Sequence, residues 1–428
     1  MKWKSILLVV ISILLVIGTN YLLIDKGVTK PLGEVIYPKA YAFDDYDTRG
    51  KLREENPVKD SSLEAINNFA YKTGSLILKE AEENINYSPL SLYYALALAT
   101  SGARSNTEKE LLDLLGMPNG KILSEEAGNL YRLLYRDNKI GKLKIANSIW
   151  MDDDMEGQEI VFKDSFIENA VNNFYASVYK VDFSDKETGD AMGKWIADNT
   201  NGTLAPEIET SPDQILSIIN TVYFYDQWVN RFNKEKTQED IFYLLNKEQV
   251  RVDFMNQTFG SAGYSIGDNY TRAALSLKNG GRMVFILPDE GTSPYDLVSS
   301  AEKIKEVFRG GEGFNGEVVW KLPKFNFQSQ FKLIENLKTL GVREAFEAHA
   351  DFTGITDHMA FIGNIEQGTY ISIDEVGVEA SAFTQIDYAG SALPEGRAEM
   401  ILDRPFVYAI VTSNENILFM GICLNPAE

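Results

Sequence analysis

The residue types that could carry catalysis are scarce in this chain. Two histidines are present, His349 and His358, together with a single cysteine, Cys423. A nucleophilic hydrolase needs a histidine beside its serine or cysteine. No G-x-S-x-G turn occurs, and neither histidine has a metal-ligating partner three or four positions further on. We therefore expect no catalytic residue, no metal site, no cofactor and no enzymatic activity, and we expect surface or capping roles for both histidines.

Two other chemical motifs have structural interpretations. Cys423 lies in the apolar run 417–424, which predicts a buried, unreactive thiol without an intramolecular disulfide. Residues 311–316 match G-x-G-x-x-G, but the residues after them have the pattern of a strand, whereas a dinucleotide-binding motif opens a helix. We interpret this segment as a glycine-rich loop.

The composition limits the class of protein and the kinds of partner that this chain can have. The chain has 428 residues, of which 44% are hydrophobic, so it can bury a sizeable core. It carries 41 Lys and Arg against 62 Asp and Glu, a formal net charge of −21. This excess of negative charge argues against nucleic acid or an anionic membrane surface as the main partner.

Residues 377–391 combine the patterns of a strand and of a loop. Alternate side chains from Val378 to Ile386 are small or apolar, and those between them are mostly polar, as in a half-buried strand. The chain then continues through further glycine and proline residues, as an exposed loop would. Two interpretations remain: a segment that adopts either state, or an ordinary edge hairpin.

The N-terminal region has a different composition from the rest. Residues 5–24 contain no charged side chain and follow two lysines. These 20 residues span about 30 Å as a helix, the thickness of a bilayer core. We expect a transmembrane signal anchor at 5–24, with residues 1–4 in the cytoplasm and the rest outside a cell membrane crossed once; a secreted protein is the alternative. Residues 25–61 are charged and contain three prolines, which predicts a flexible tether before a folded domain at 62–428.

Helical and strand patterns are interspersed over the folded domain. Ser88-Pro89 predicts a capped helix start, Asn201-Gly202 predicts a helix end, and Asn279-Gly280 predicts a hairpin turn. A helix is predicted over 161–175, and strands over 143–151, 215–225, 318–327 and 401–411. No repeat and no regular βαβ alternation is present, so the class is α+β with large, mostly antiparallel sheets.

Together these segments resemble the serpin family over about residues 62–426. The matching motifs are N-Y-S-P-L-S at 86–91, N-T-N-G at 199–202, N-T-V-Y-F at 220–224 followed by Trp228 and Phe232, L-P-K-F at 322–325, D-F-T-G-I at 351–355, D-R-P-F at 403–406 and G-x-x-x-x-P at 421–426. Their number and order identify the chain as similar to a prokaryotic-type, membrane-anchored inhibitory serpin. The resemblance implies a serpin fold of about nine helices packed on three mostly antiparallel β-sheets, with an exposed reactive loop.

The resemblance also implies a function, the inhibition of serine-type endopeptidases by a suicide-substrate mechanism. In this family a protease cleaves the exposed loop, which then inserts into the main sheet and traps the acyl-enzyme. The implied hinge comprises Glu375, Gly377, Val378, Glu379, Ala380, Ser381, Ala382, Phe383 and Thr384. Phe383 departs from the usual alanine, but it lies on the outward-facing phase. A non-inhibitory serpin acting as a binding or chaperone-like protein is the alternative.

The implied reactive bond follows from the position of the hinge. Counting 14 residues on from Gly377 places the bond between Ser391 and Ala392, and the length of the loop also allows a shift toward Leu393. Small residues there imply an elastase- or subtilisin-like serine protease as the partner of a monomeric inhibitor. A cysteine protease is the alternative.

The resemblance further implies a latch that holds the main sheet closed until the loop inserts. Its expected members are Ser88, Ser91, Asn220, Gln367 and Trp228. The family often has a histidine where this chain has Gln367. Because glutamine has both a donor and an acceptor, it can replace the histidine in such a latch.

Overall fold

The structure is a computed structural model that describes residues 31–33, 35–155, 157–378 and 396–428. Nine α-helices occur in these residues. They are α1 Tyr46–Glu55, α2 Asp60–Leu78, α3 Pro89–Gly102, α4 Ser105–Leu115, α5 Gly120–Leu134, α6 Asp164–Phe174, α7 Lys186–Asn199, α8 Ala301–Arg309 and α9 Ile334–Thr339.

The strands of the described residues form three sheets, so the predicted α+β class is confirmed. The strands are β1 Ile85–Tyr87, β2 Arg136–Asp137, β3 Lys142–Asp152, β4 Asp154–Met155, β5 Gln158–Glu159, β6 Ala176–Val181, β7 Leu216–Gln227, β8 Gln238–Tyr243, β9 Gln249–Gly267, β10 Tyr270–Ser276, β11 Arg282–Pro288, β12 Glu312–Pro323, β13 Phe325–Lys332, β14 Glu366–Ile373, β15 Gly377–Val378, β16 Arg397–Ile401, β17 Phe406–Val411 and β18 Ile417–Cys423.

One sheet of nine strands has the order β1-β18-β17-β11-β10-β9-β12-β16, with β8 paired to β9. A second sheet of seven strands has the order β13-β14-β15-β7-β3-β2, with β6 paired to β3. The third is the hairpin of β4 and β5. The pairings β3–β6 and β12–β16 are parallel, and the other described pairings are antiparallel. We call the seven-stranded sheet the main sheet.

Helix α3 passes through the middle of the molecule and begins as the sequence predicts. Ser88 is its N-cap, because the hydroxyl oxygen accepts the backbone N–H of Ser91 at 3.3 Å, and Pro89 occupies the first turn. Nearly all of the helix is buried, and it contacts both β7 and β18. It therefore joins the main sheet to the nine-stranded sheet.

Two predicted strands are each divided in the structure. The predicted strand 318–327 is broken at Lys324, whose N–H bonds to the carbonyl of Asp253 at 2.8 Å while the chain crosses from the nine-stranded sheet to the main sheet. The predicted strand 401–411 is interrupted before Phe406, because Pro405 has no N–H to offer a ladder. The glycine-rich segment 311–316 is also corrected, since β12 begins at Glu312 and pairs with β9.

The segment predicted as a flexible tether is packed on the folded domain in its described part. We call residues 31–58 the N-terminal arm. The N–H of Leu32 bonds to the carbonyl of Val178 at 2.6 Å, so the arm begins on the edge of β6. The ring of Tyr37 stacks on Tyr135, with centroids 5.9 Å apart, and Lys144 lies 4.7 Å from the same ring. Three prolines in the sequence suggested a linker, but these tertiary contacts hold the arm.

The predicted location in the cell membrane is corrected. In the described part of the chain, no helix is both long enough and apolar enough to cross a membrane. The predicted anchor at residues 5–24 lies outside the described residues.

Candidate functional site

A tight turn at residues 374–376 connects the end of β14 to β15, and we call it the hinge turn. The carboxylate of Asp374 accepts the N–H groups of Val376 at 2.8 Å and of Gly377 at 3.1 Å. The N–H of Asp374 in turn bonds to the carbonyl of Gly377 at 3.1 Å. These bonds fold the chain back, so that Val378 pairs with Ile373 of the strand it has just left.

Strand β15 lies between β14 and β7 and joins them. Gly377 pairs with Gln227, and Val378 pairs with Asp226. Among the described residues β14 and β7 have no direct pairing; β15 is their connection in the main sheet. Only glycine fits at Gly377, because a Cβ there would lie 2.7 Å from the Cα of Gln227 and closer still to the carbonyl oxygen of Asp226.

The hinge turn is fixed on its other side by Trp228, which is 1% exposed. The backbone N–H of Trp228 bonds to the carbonyl of Val376 at 3.0 Å, and its indole N–H bonds to the carbonyl of Asp374 at 2.9 Å. The sequence analysis assigned Trp228 to the latch. The structure instead places it beside the hinge turn, eight residues and about 26 Å of strand away from Asn220.

Glu375 at the centre of the hinge turn is a buried carboxylate. The hydroxyl of Thr237 donates to its Oε1 at 2.8 Å, and Lys324 Nζ lies 3.3 Å from Oε2. Burial opposes the charge, but hydrogen bonds from its own backbone and from Thr237, together with the charge of Lys324, lower the pKa of Glu375. The carboxylate therefore ties the turn to β12–β13 and to the segment before β8.

Four of the five predicted latch residues converge at the start of α3. The side-chain amide of Gln367 donates to the carbonyl of Ser88 at 2.9 Å, and its oxygen accepts the N–H of Ser88 at 2.9 Å. The hydroxyl of Ser91 donates to the side-chain oxygen of Asn220 on β7, whose amide donates to Asn147 on β3 at 2.5 Å. Helix α3 is thus bonded to strands on both sides of β15.

The structure also brings residues to the hinge that the sequence analysis missed. Asp226 pairs through its backbone with Val378, and its buried carboxylate bonds to Asn279 in the loop between β10 and β11. The sequence did contain a signal for Asp226: a carboxylate placed between an apolar strand pattern and Trp228. The remaining predicted site residues lie outside the described part of the chain: Glu379, Ala380, Ser381, Ala382, Phe383, Thr384, Ser391, Ala392 and Leu393.

Comparison with known proteins interprets this arrangement. The family model described as Serpin (serine protease inhibitor) matches residues 64–426. The chain belongs to the serpin family. The serpin is 28% identical over 388 residues to a serine protease inhibitor of Cyanea capillata, covering 86% of this chain and 98% of that protein. It is 28% identical over 385 residues to an uncharacterized serpin-like protein of Methanosarcina acetivorans, covering 85% and 88% of the two chains.

Solved structures share the fold of this serpin. The native-state crystal structure of tengpin, a thermophilic serpin, matches with a TM-score of 0.76 at 25% identity and covers 91% of this chain and 97% of tengpin. The predicted serpin fold is therefore confirmed.

Proposed function

We propose that this serpin inhibits a serine-type endopeptidase as a suicide substrate. The observation that carries the proposal is the position of β15, which leads the chain from β14 directly into the main sheet between β14 and β7. A loop that continued in the same direction would add a strand between them, as the inhibitory mechanism of the family requires.

The side chains at the start of this path favour insertion. Val378, the first inward-facing residue, is 3% exposed between its neighbours. On the same phase follow Ala380, Ala382 and Thr384, which are small and uncharged. A charged group at one of these positions would have to be buried without a partner, at a cost of several kcal/mol. We propose that Ser391–Ala392 is the reactive bond, with Leu393 as the next candidate position.

The latch supplies the barrier that this mechanism needs. Insertion of a full strand requires β7 and β14 to move apart below β15, and α3 is bonded to both strands through Asn220 and Gln367. The contacts must break or shift together as the sheet opens. A serpin of this kind would be kept in its native state kinetically until cleavage.

The decisive experiment mixes the full chain with a panel of subtilisin-like, elastase-like and cysteine proteases. An SDS-stable complex is expected with a serine protease that cleaves after small residues, and mass spectrometry of the released peptide gives the cleaved bond. Ala380→Arg should convert the inhibitor into a substrate that is cleaved without complex, because the arginine would enter the sheet. Ser381→Arg is the matched control on the outward-facing phase and should keep the complex.

A chain that is cleaved in this loop by every protease without a complex, and without gain in thermal stability, would contradict the proposal. That result would favour the non-inhibitory alternative, a binding or chaperone-like serpin.

A further inference from the structure

A buried carboxyl group lies directly behind the hinge. Asp226 is 2% exposed, and its side chain accepts three hydrogen bonds. Oδ1 accepts the backbone N–H of Gln227 at 2.8 Å and the side-chain amide of Asn279 at 3.0 Å, and Oδ2 accepts the backbone N–H of Asn279 at 3.1 Å. These donors come from two parts of the chain, the end of β7 and the loop between β10 and β11.

A third segment closes over the same group. The side-chain amide of Asn138, between β2 and β3, donates to the oxygen of Asn279 at 2.9 Å. Gly141 follows in the same turn, where a Cβ would lie 2.5 Å from the Asn279 amide nitrogen and 3.0 Å from Asp226 Oδ1. The turn therefore packs closely against the carboxyl group, and a small cavity of about 30 Å³ beside it is lined by Asp226, Asn279 and Lys142, among other residues.

The charged groups around Asp226 come from several segments of the chain. Arg136 on β2 lies near enough to favour the ionised form, but its guanidinium bonds to the carbonyls of Leu133 and Tyr135 at 2.7 Å. Further cations on this side include Lys278 in the loop between β10 and β11, Lys142 at the start of β3, Arg49 on α1, and Arg231, which donates to the side chain of Gln227 at 2.6 Å. Among the described residues, none forms an ion pair with Asp226.

Burial dominates the ionisation of this group. It raises the pKa of Asp226 to about 7, although the hydrogen bonds from Asn279 and Gln227 and the charge of Arg136 act in the opposite direction. The amides can still bond to a neutral carboxyl group, so protonation keeps part of the cluster intact. The ionised form, in contrast, must be held in a largely buried site in which no ion pair with a described residue balances its charge.

The hinge covers the backbone of the same residue. The backbone of Asp226 pairs with Val378, and Gly377 approaches the carbonyl oxygen of Asp226 so closely that a Cβ there would overlap it. When β15 is in place, the edge of β7 at this point is closed to water; when β15 leaves, water reaches the strand edge beside the carboxyl group. The seated hinge therefore favours the neutral carboxyl group more strongly than the released hinge does.

We propose that Asp226 makes the seating of the hinge depend on pH: its neutral form holds β15 between β14 and β7, and its ionisation releases it. The seated hinge has the higher affinity for the proton of Asp226, so by linkage it is favoured in mildly acidic solution. The ratio of released to seated hinge then rises by up to about tenfold per pH unit and levels off above the pKa of the seated state. At neutral pH the reactive loop is then presented to proteases more fully; this consequence rests on the proposed function.

Trp228 provides the readout, because its indole bonds to the hinge turn. Fluorescence of the full chain is recorded from pH 5 to 9 without protease, and the same titration of Trp228→Phe is subtracted to isolate this residue. We expect an emission shift that develops toward pH 7 and is flat above pH 8. Asp226→Asn should abolish the shift, whereas Asp137→Asn, whose side chain is 50% exposed on the neighbouring β2, should keep it.

A measurement on the wild-type chain guards against a variant that does not fold. In ¹³C NMR of carboxyl-labelled aspartate, we expect one resonance that titrates with a midpoint near pH 7. Titration of every aspartate below pH 5, or an emission shift that persists in Asp226→Asn, would overturn the proposal. Because neither readout involves a protease, a chain that shows the Trp228 emission shift but forms no complex supports the hinge switch and contradicts only the proposed inhibitory function.

Discussion

Replacing Gln367 by leucine tests the latch most directly. Leucine has nearly the same volume, so the change removes the two hydrogen bonds to Ser88 without opening a large cavity. The carbonyl of Ser88 keeps a partner, because it also accepts the N–H of Leu92 at 3.3 Å. The N–H of Ser88 loses its partner, and Ser88 is only 1% exposed.

The magnitude follows from these contacts. A buried N–H without a partner costs about 1–3 kcal/mol, and the second hydrogen bond contributes about 1 kcal/mol, so the native state should lose about 2–4 kcal/mol. If the latch is already broken in the transition state for sheet opening, the whole loss appears in the rate. Spontaneous conversion to a loop-inserted form should then accelerate by about 30- to 1,000-fold.

Two assays measure the effect. Urea denaturation gives the change in the free energy of unfolding, and native gel electrophoresis at 37 °C gives the half-life of the native form. Gln330→Leu is the matched control, because Gln330 is an exposed glutamine on the adjacent strand β13 and should change stability by less than about 0.5 kcal/mol. A Gln367→Leu variant as stable and as long-lived as this control would refute the assignment of Gln367 to the latch.

Three further predictions follow from the geometry of the hinge and of the N-terminal arm. Gly377→Ala should destabilise the seated hinge by about 1–3 kcal/mol, because its Cβ would overlap the backbone of β7; hydrogen exchange of the Val378 amide measures the loss. Folding raises the pKa of Asp226 to about 7, so the stability that its protonated form gives the wild type is lost as pH rises from 4 to 7. Asp226→Asn cannot ionise and should therefore become progressively more stable than wild type over this range, by at most about 4 kcal/mol in urea denaturation. Tyr37→Ala should lower the free energy of unfolding by about 2 kcal/mol through loss of its stacking on Tyr135.

Matched variants check these three results. Gly363→Ala introduces a Cβ with no heavy atom within 4 Å and should leave exchange at the hinge unchanged. Asp137→Asn, the same replacement at a half-exposed aspartate on β2, is the control for the Asp226→Asn series. Tyr46→Ala removes a ring of the same arm that is 67% exposed, and an effect as large as that of Tyr37→Ala would mean that stacking is not what holds the arm.

Two of the carboxylates at the hinge, Glu375 and Asp226, have pKa shifts in opposite directions. Glu375 is buried beside Lys324 and the hydroxyl of Thr237, and its pKa is lowered. Asp226 is more deeply enclosed and has amide donors rather than a paired cation, so its pKa is raised. Acidification near pH 6 therefore protonates Asp226 while Glu375 keeps its charge.

Local patterns were sufficient for the elements whose boundaries depend on neighbouring residues. The Ser88-Pro89 start of α3 and the Asn279-Gly280 turn between β10 and β11 were predicted because capping and left-handed backbone conformations favour particular residue types. The break at Lys324 was not predicted, because both strands that flank it are apolar and only the crossing between two sheets separates them.

The sequence by itself determined the family and the start of α3 at Ser88, since these are expressed in residue types at fixed spacing. The tertiary structure alone decided what these residues contact. In the structure Gln367 bonds to both backbone groups of Ser88, Trp228 lies at the hinge turn and not in the latch, and the N-terminal arm packs on the domain. The structure also encloses Asp226 behind the hinge. Such contacts join segments far apart in the chain, and the environment that sets a pKa or a barrier exists only after those segments have packed together.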